Sequence, residues 1–322
     1  MKIEKKLNRR KFVKLFSIGT ATAGIAAFAL NFDKLIGLSN NPDERDNQLR
    51  QDVKKTFFKC SACSHTFFYM LNREFGVSKE QEETASDPLA GGLLNTQNQC
   101  GMLWGSSLAV GAEAFRRYNN PDQALIMSIT ATQHLVKSFE KRTESVNCRE
   151  VLGFDISNPT ELMSFMMKSL PAGFTNIICM NLAERWAPEA MLAAKEGLSD
   201  VKESFNPPLS CASEVVKKMG ADDEEAAMVS GFAGGMGLSG NGCGALAAAV
   251  WMSTLKQSRE NNELPAFTNP DSEKILKAFK EVTKSEFICS KISGKKFGTI
   301  DEHTEFIKSG GCKKIIDLIS QA

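Results

Sequence analysis

Apolar residues along this chain recur at helical spacing, and polar residues sit where helices need caps. MLWGSSLAVGAEAFRRY (102–118) and ALAAAVWMSTLKQ (245–257) set Ala, Gly and Ser among larger apolar residues, the texture of buried, closely packed helices. NPDQALIMSITATQHLVKSFEKR (120–142) and NPDSEKILKAFKEVTKS (269–285) both open on Asn-Pro-Asp, a cap followed by proline in the first turn. Both end in basic residues that suit the helix dipole. No run alternates at period two as a sheet requires, so the expected fold class is mainly α. KEGLSDVKESFNPPLS (195–210) is polar with a Pro-Pro break and reads as a linker.

The helical pattern is written twice. AGGLLNTQNQCG begins at Ala90 and AGGMGLSGNGCG at Ala233, 143 positions later, with the same Ala-Gly-Gly and Cys-Gly punctuation. A cysteine opens a short helical stretch before each (Cys63, Cys211), and Cys100 and Cys243 close the glycine stretches. A long helical stretch follows, then Cys148 or Cys289 with a glycine five residues on, then Cys179 or Cys312. The cysteine spacings are 37, 48 and 31 in the first unit and 32, 46 and 23 in the second. A duplicated four-cysteine domain is the economical explanation. The expected units span 52–195 and 209–322, joined by a linker at 196–208; Cys60 is left over.

Composition narrows the function. Lys and Arg number 39 against 38 Asp and Glu, without a basic stripe or acidic tail, which sets nucleic acid aside. Nine cysteines are too few for a disulfide scaffold of 322 residues and too many to ignore. At the N-terminus, Arg9-Arg10 precedes a mildly apolar stretch from Leu15 to Leu30, with Ala27-Phe28-Ala29 as a small-x-small site. This resembles a twin-arginine export signal over 1–35, which would deliver the protein to the periplasm or the outer face of the cytoplasmic membrane. An uncleaved anchor giving membrane association through the N-terminus is the alternative.

A glycine loop ending in Cys-Gly at a helix start places sulfur near backbone N–H groups and the positive end of the dipole, which favours thiolate. Glycines Gly91, Gly92, Gly101, Gly234, Gly235 and Gly244 let the backbone close around a bulky group. Four thiolates per unit suit an iron–sulfur cluster or a structural zinc. The order Cys, Gly-Gly, Cys-Gly-Ala-x-x-Gly, Cys, Cys resembles the C-GCAxxG-C-C family of redox-active proteins. CGMLWG (100–105) departs from it at Met102, and CGALAA (243–248) at Ala248. The family includes the split-Soret cytochrome type, whose corresponding domain binds an iron–sulfur cluster. The resemblance implies two redox sets, Cys63, Cys100, Cys148, Cys179 and Cys211, Cys243, Cys289, Cys312, with a [2Fe–2S] cluster favoured.

Other motifs weigh less. CSACSH offers Cys60, Cys63 and His65, but Ser64 stands where a c-type haem needs its histidine, so covalent haem is not expected. Gly235, Gly237 and Gly240 spell GxGxxG after a helical stretch rather than a strand, so no nucleotide is expected. His134 and His303 read as structural, and Glu113 and Glu214 form no spaced acid–base pair. The leading expectation is an exported electron carrier or redox subunit acting on a partner protein, rather than a stand-alone enzyme. A thiol–disulfide oxidoreductase using the same cysteines, or Cys60 with Cys63, is the second reading. A helical binding protein stapled by disulfides or zinc is the third.

Overall fold

The computed structural model describes residues 42–322 except 119, 157, 170–176, 203, 205 and 262–269. The expected signal, with Arg9, Arg10 and the stretch to Leu30, lies outside the described residues, as does the Asn269 cap. Residues up to Gln48 form one unit, described only over the start of helix α1 (Pro42–Cys60), and Leu49–Ala322 form another.

The first cysteine unit contributes α2 (Cys63–Glu74), α3 (Glu80–Thr84), a 3-10 turn (Asp87–Leu89) and α4 (Gly101–Arg117). It continues with α5 (Pro121–Thr143), α6 (Cys148–Leu152), α7 (Pro159–Ser169) and α8 (Ile177–Ser199). The second contributes α9 (Cys211–Lys218), α10 (Asp223–Ser230), α11 (Gly244–Asn261) and α12 (Pro270–Thr283). It ends with α13 (Cys289–Ser293), α14 (Ile300–Lys308) and α15 (Lys313–Ile319). Among the described residues there is no strand, only the isolated bridges Gln99–Asn147 and Gly242–Ile288. No described helix is long and apolar enough to cross a membrane.

Local chemistry sets these boundaries. Asn120 Oδ1 accepts from the Asp122 N–H at 2.9 Å, with Pro121 in the first turn of α5. Asp222 and Glu225 form a reciprocal capping box on α10. Glu83, 1 % exposed, accepts from Asn72 Nδ2 at 2.7 Å, from Arg73 at 2.9 and 3.0 Å and from the Lys79 N–H at 3.1 Å. That network joins α2 to α3. The start of the expected linker is helical instead: α8 runs on to Ser199 because Leu198 still buries its side chain. The non-helical remainder is held down, with Gln123 Nε2 donating to Lys202 O and Ser204 Oγ to Asp301 Oδ1.

Packing joins the two units into one core. Trp186 of α8 lies 4.9 Å from Phe67 of α2 and 4.7 Å from Phe139 of α5. Each such pair contributes about 0.5–1.5 kcal/mol beyond its buried area. Between the units, α4 packs on α10, and its counterpart α11 packs on α3 and the 3-10 turn. A Cβ at Gly111 of α4 would lie 2.5 Å from Met228 O and 2.6 Å from Ala227 O, so glycine is what permits that approach. Gln99 and Gly242, 143 positions apart, touch each other: the buried Gly242 N–H donates to Gln99 Oε1 at 3.0 Å. A residue that meets its own equivalent marks a pseudo-two-fold axis.

Candidate functional site

Both units deliver their cysteines in the same way. Cys63, Cys148, Cys211 and Cys289 are first residues of α2, α6, α9 and α13. Cys100 and Cys243 immediately precede α4 and α11. The fourth thiols differ: Cys179 is the third residue of α8, whereas Cys312 stands before α15 in a left-handed conformation, φ 59°. None of the nine cysteines is joined in a disulfide; seven are buried, and Cys60 and Cys312 are half-buried.

The loops leading to Cys100 and Cys243 match bond for bond. Residues 91–95 and 234–238 are each five consecutive left-handed positions, including Leu93, Leu94, Asn95, Met236 and Leu238. A left-handed conformation costs a non-glycine residue about 1–2 kcal/mol, so the surrounding structure must impose it. Gln97 N–H donates to Gly91 O at 3.0 Å and Gly240 N–H to Gly234 O at 2.9 Å. Cys148 N–H reaches Asn98 O at 2.6 Å, as Cys289 N–H reaches Asn241 O, binding the third cysteine to the loop of the second. Glycine is required where the loop meets a cysteine side chain: a Cβ at Gly101 would lie 2.6 Å from Cys63 Sγ, and one at Gly235 2.6 Å from Cys289 Cβ. Gly92 would strike the backbone of Gln97 and Asn98, Gly91 the Asn95 side chain, and Gly244 the carbonyl of Phe232.

The electrostatics place four thiols in each set. Burial raises the Cys100 thiol well above its ordinary value, and the charges of Cys63, Cys148 and Cys179 add to it. Burial likewise raises Cys289, followed by Cys243, Cys211 and Cys312. Cys312 is raised by burial and by Cys211 and Cys243, and Cys148 is pushed up to about 12 by burial and Cys63. The eight expected cysteines thus fall into two sets whose members feel one another's charge, and Cys60 acts on neither set. Backbone N–H groups of Gly91 and Gly101 bond to Cys63, and that of Gly234 to Cys211, but burial outweighs them and both thiols are raised. Cys243, with bonds from Ala245 and Leu246, is still pushed up to about 12 by burial. The expectation that helix starts would lower these pKa values is corrected: taking thiolate out of water costs more than the dipole and N–H bonds return.

Among the described residues no three His, Cys, Asp or Glu side chains close tightly enough to hold a single metal ion. The donor chemistry, all sulfur with backbone N–H groups of Gly91, Gly101 and Gly234 directed at Cys63 and Cys211, is of the kind an iron–sulfur cluster uses.

Residues outside the sets have other work. His65 Nδ1 bonds Asp87 Oδ1 at 3.0 Å, and its ring also bonds Cys60. Burial works to lower the His65 pKa, but Asp87 and Cys60 reverse this and take it up to about 9. Asp87 was not legible as a partner because it lies 22 residues from His65. The glycines 235, 237 and 240 follow helix α10, not a strand. Glu113, 2 % exposed, pairs with Arg116 and Arg117, and Glu214 adds a minor charge effect on Cys211. His134 bonds Asp200 at 3.3 Å, and buried His303 bonds Leu209 O through Nδ1 at 3.0 Å. Two clefts approach the sets. One, of about 620 Å³, is lined by Asn98 and Asn147 from the first unit and Phe287 and Ile288 from the second. The other, of about 450 Å³, exposes Cys312 among Lys284, Lys291, Lys313 and Lys314.

Two four-cysteine sets, buried except at Cys312 and related by a pseudo-two-fold axis within one helical body, define a duplicated cysteine-motif protein. The family model described as "Putative redox-active protein (C_GCAxxG_C_C)" matches residues 61–190 and again 209–321, so the chain belongs to that family twice over. No curated protein and no solved structure matches the chain.

Proposed function

We propose that this protein is an exported electron carrier or redox subunit that holds an iron–sulfur cluster in each four-cysteine set and exchanges electrons with a partner protein. The observation that carries the reading is the convergence of four thiols in each unit, by matched loops that direct N–H groups at sulfur. Cys63, Cys100, Cys148 and Cys179 would hold one cluster and Cys211, Cys243, Cys289 and Cys312 the other. A [2Fe–2S] cluster bound there would supply a one-electron couple. The chain's part is to keep water away by burial, to donate N–H bonds from Gly91, Gly101 and Gly234, and to hold the sulfurs by their helix starts. Raised thiols support a cationic occupant, since several thiolates together in so buried a site need positive charge. They argue against the thiol–disulfide reading, which needs an accessible thiol of low pKa. The twin-arginine-like N-terminus supports delivery to the periplasm or the outer membrane face after folding.

The deciding experiment measures iron and acid-labile sulfide per chain, with an absorption spectrum, on protein purified without oxygen. About two irons and two sulfides per set are expected for [2Fe–2S], and Cys243→Ala should empty the second set alone. Metal-free protein whose thiols titrate reversibly would overturn the reading.

A further inference from the structure

The two units meet immediately beside one cysteine of each set. Gln99 and Gly242 are equivalent positions, and each immediately precedes its unit's Cys-Gly cysteine. A Cβ at Gly242 would lie 2.8 Å from Gln99 Cβ. Adding the two Cα–Cβ bonds puts these Cα atoms within about 6 Å of each other. One peptide step of about 3.8 Å on each side then brings the Cα atoms of Cys100 and Cys243 within about 14 Å. The linker does not impose this closeness, since the nine residues after Ser199, fully extended, would reach roughly 30 Å. The shared core does.

The seam sets Gln99 and Trp104 of the first unit against Gly242 and Phe232 of the second. Trp104, fully buried and four residues beyond Cys100, brings Cζ2 to 3.2 Å from the Gly242 Cβ position. Its ring lies 4.7 Å from Phe232, edge to face. Trp104 Nε1 and Gln99 Nε2 are buried donors without an acceptor among the described residues. The counterpart positions in the second unit are Gly242 and Ala247, which carry no such donors. Unspent N–H dipoles favour added negative charge beside them.

We infer that the two cysteine sets act as one coupled redox pair, joined through the Gln99–Gly242 contact and the Trp104 indole. This rests on the cluster reading above. An electron held by one set passes across the seam to the other: the first is oxidised by one electron as the second is reduced, and no further reactant is consumed. That transfer leaves the total at one electron; a second one-electron delivery by the redox partner then fills both sets.

The test is stepwise dithionite reduction of the loaded wild-type protein, followed by electron paramagnetic resonance. One electron per chain is expected to give an unsplit signal, and the second to add spin–spin splitting and faster relaxation. Cys100→Ser, loaded at the second set only, should lose that splitting at full reduction; if this variant does not fold, the wild-type titration decides alone. Two unsplit, additive signals in fully reduced wild-type protein overturn the coupling and leave the cluster reading standing. Iron-free protein overturns the cluster reading itself.

Discussion

Replacing Gly235 by alanine separates backbone strain from steric crowding at the second site. Gly235 has φ +80°, and its Cβ would meet Cys289 Cβ at 2.6 Å and Asn241 N at 2.7 Å. Gly294, five residues beyond the same Cys289, has φ +76° with nothing within 4 Å. Both alanines therefore incur the left-handed cost of about 1–2 kcal/mol. Only Gly235→Ala adds overpacking, about 1–3 kcal/mol more, so the totals are roughly 2–5 against 1–2 kcal/mol. Denaturant unfolding reads the difference, and the rate of thiol labelling at Cys289 should rise in Gly235→Ala alone. Equal losses in the two variants would refute the claim that this glycine makes room for the cysteine.

Three further outcomes are expected. Glu83→Gln, which leaves donors from Asn72, Arg73 and Lys79 facing an amide, should cost about 3–5 kcal/mol in urea unfolding. Burial lowers the His303 pKa to about 4, below the unfolded value near 6.5. The unfolded chain therefore binds the extra proton, and stability should fall as pH drops from about 6.5 to 4, by up to about 3 kcal/mol. His303→Gln should flatten that slope in stability measured against pH. Cys60→Ser should leave iron content unchanged while Cys148→Ser loses one set's share, because Cys60 bonds His65 rather than joining a set; equal losses would redraw the sets.

Much of this was readable in the sequence because it is local or repeated. The Asn120 cap, the small-residue texture of α4 and α11, and the doubled Ala-Gly-Gly and Cys-Gly punctuation all act within a few residues or by repetition. The grouping of cysteines followed from the repeat. Burial of the thiols did not, since short polar stretches such as NTQNQ look exposed and only tertiary packing sinks Gln97 and Gln99. The left-handed run escaped notice because Leu93, Leu94 and Asn95 occupy it without glycine, under tertiary constraint. Glu83, Asp87 and Trp104 acquire their roles from partners distant along the chain, which no local periodicity encodes.

The meeting of Gln99 with Gly242 carries a consequence for how such a molecule can be assembled. In a homodimer the residue on the two-fold axis faces its own copy. Two glutamines there would bring their Cβ atoms to about the 2.8 Å found between Gln99 Cβ and the Gly242 position, closer than side chains tolerate. Two glycines would leave the buried N–H without the side-chain oxygen it now uses. A fused chain can place glutamine on one side and glycine on the other, a key and keyhole that identical copies cannot share. Within one chain the axis is released from strict symmetry, so the two faces can complement each other at this contact in a way two identical faces would not.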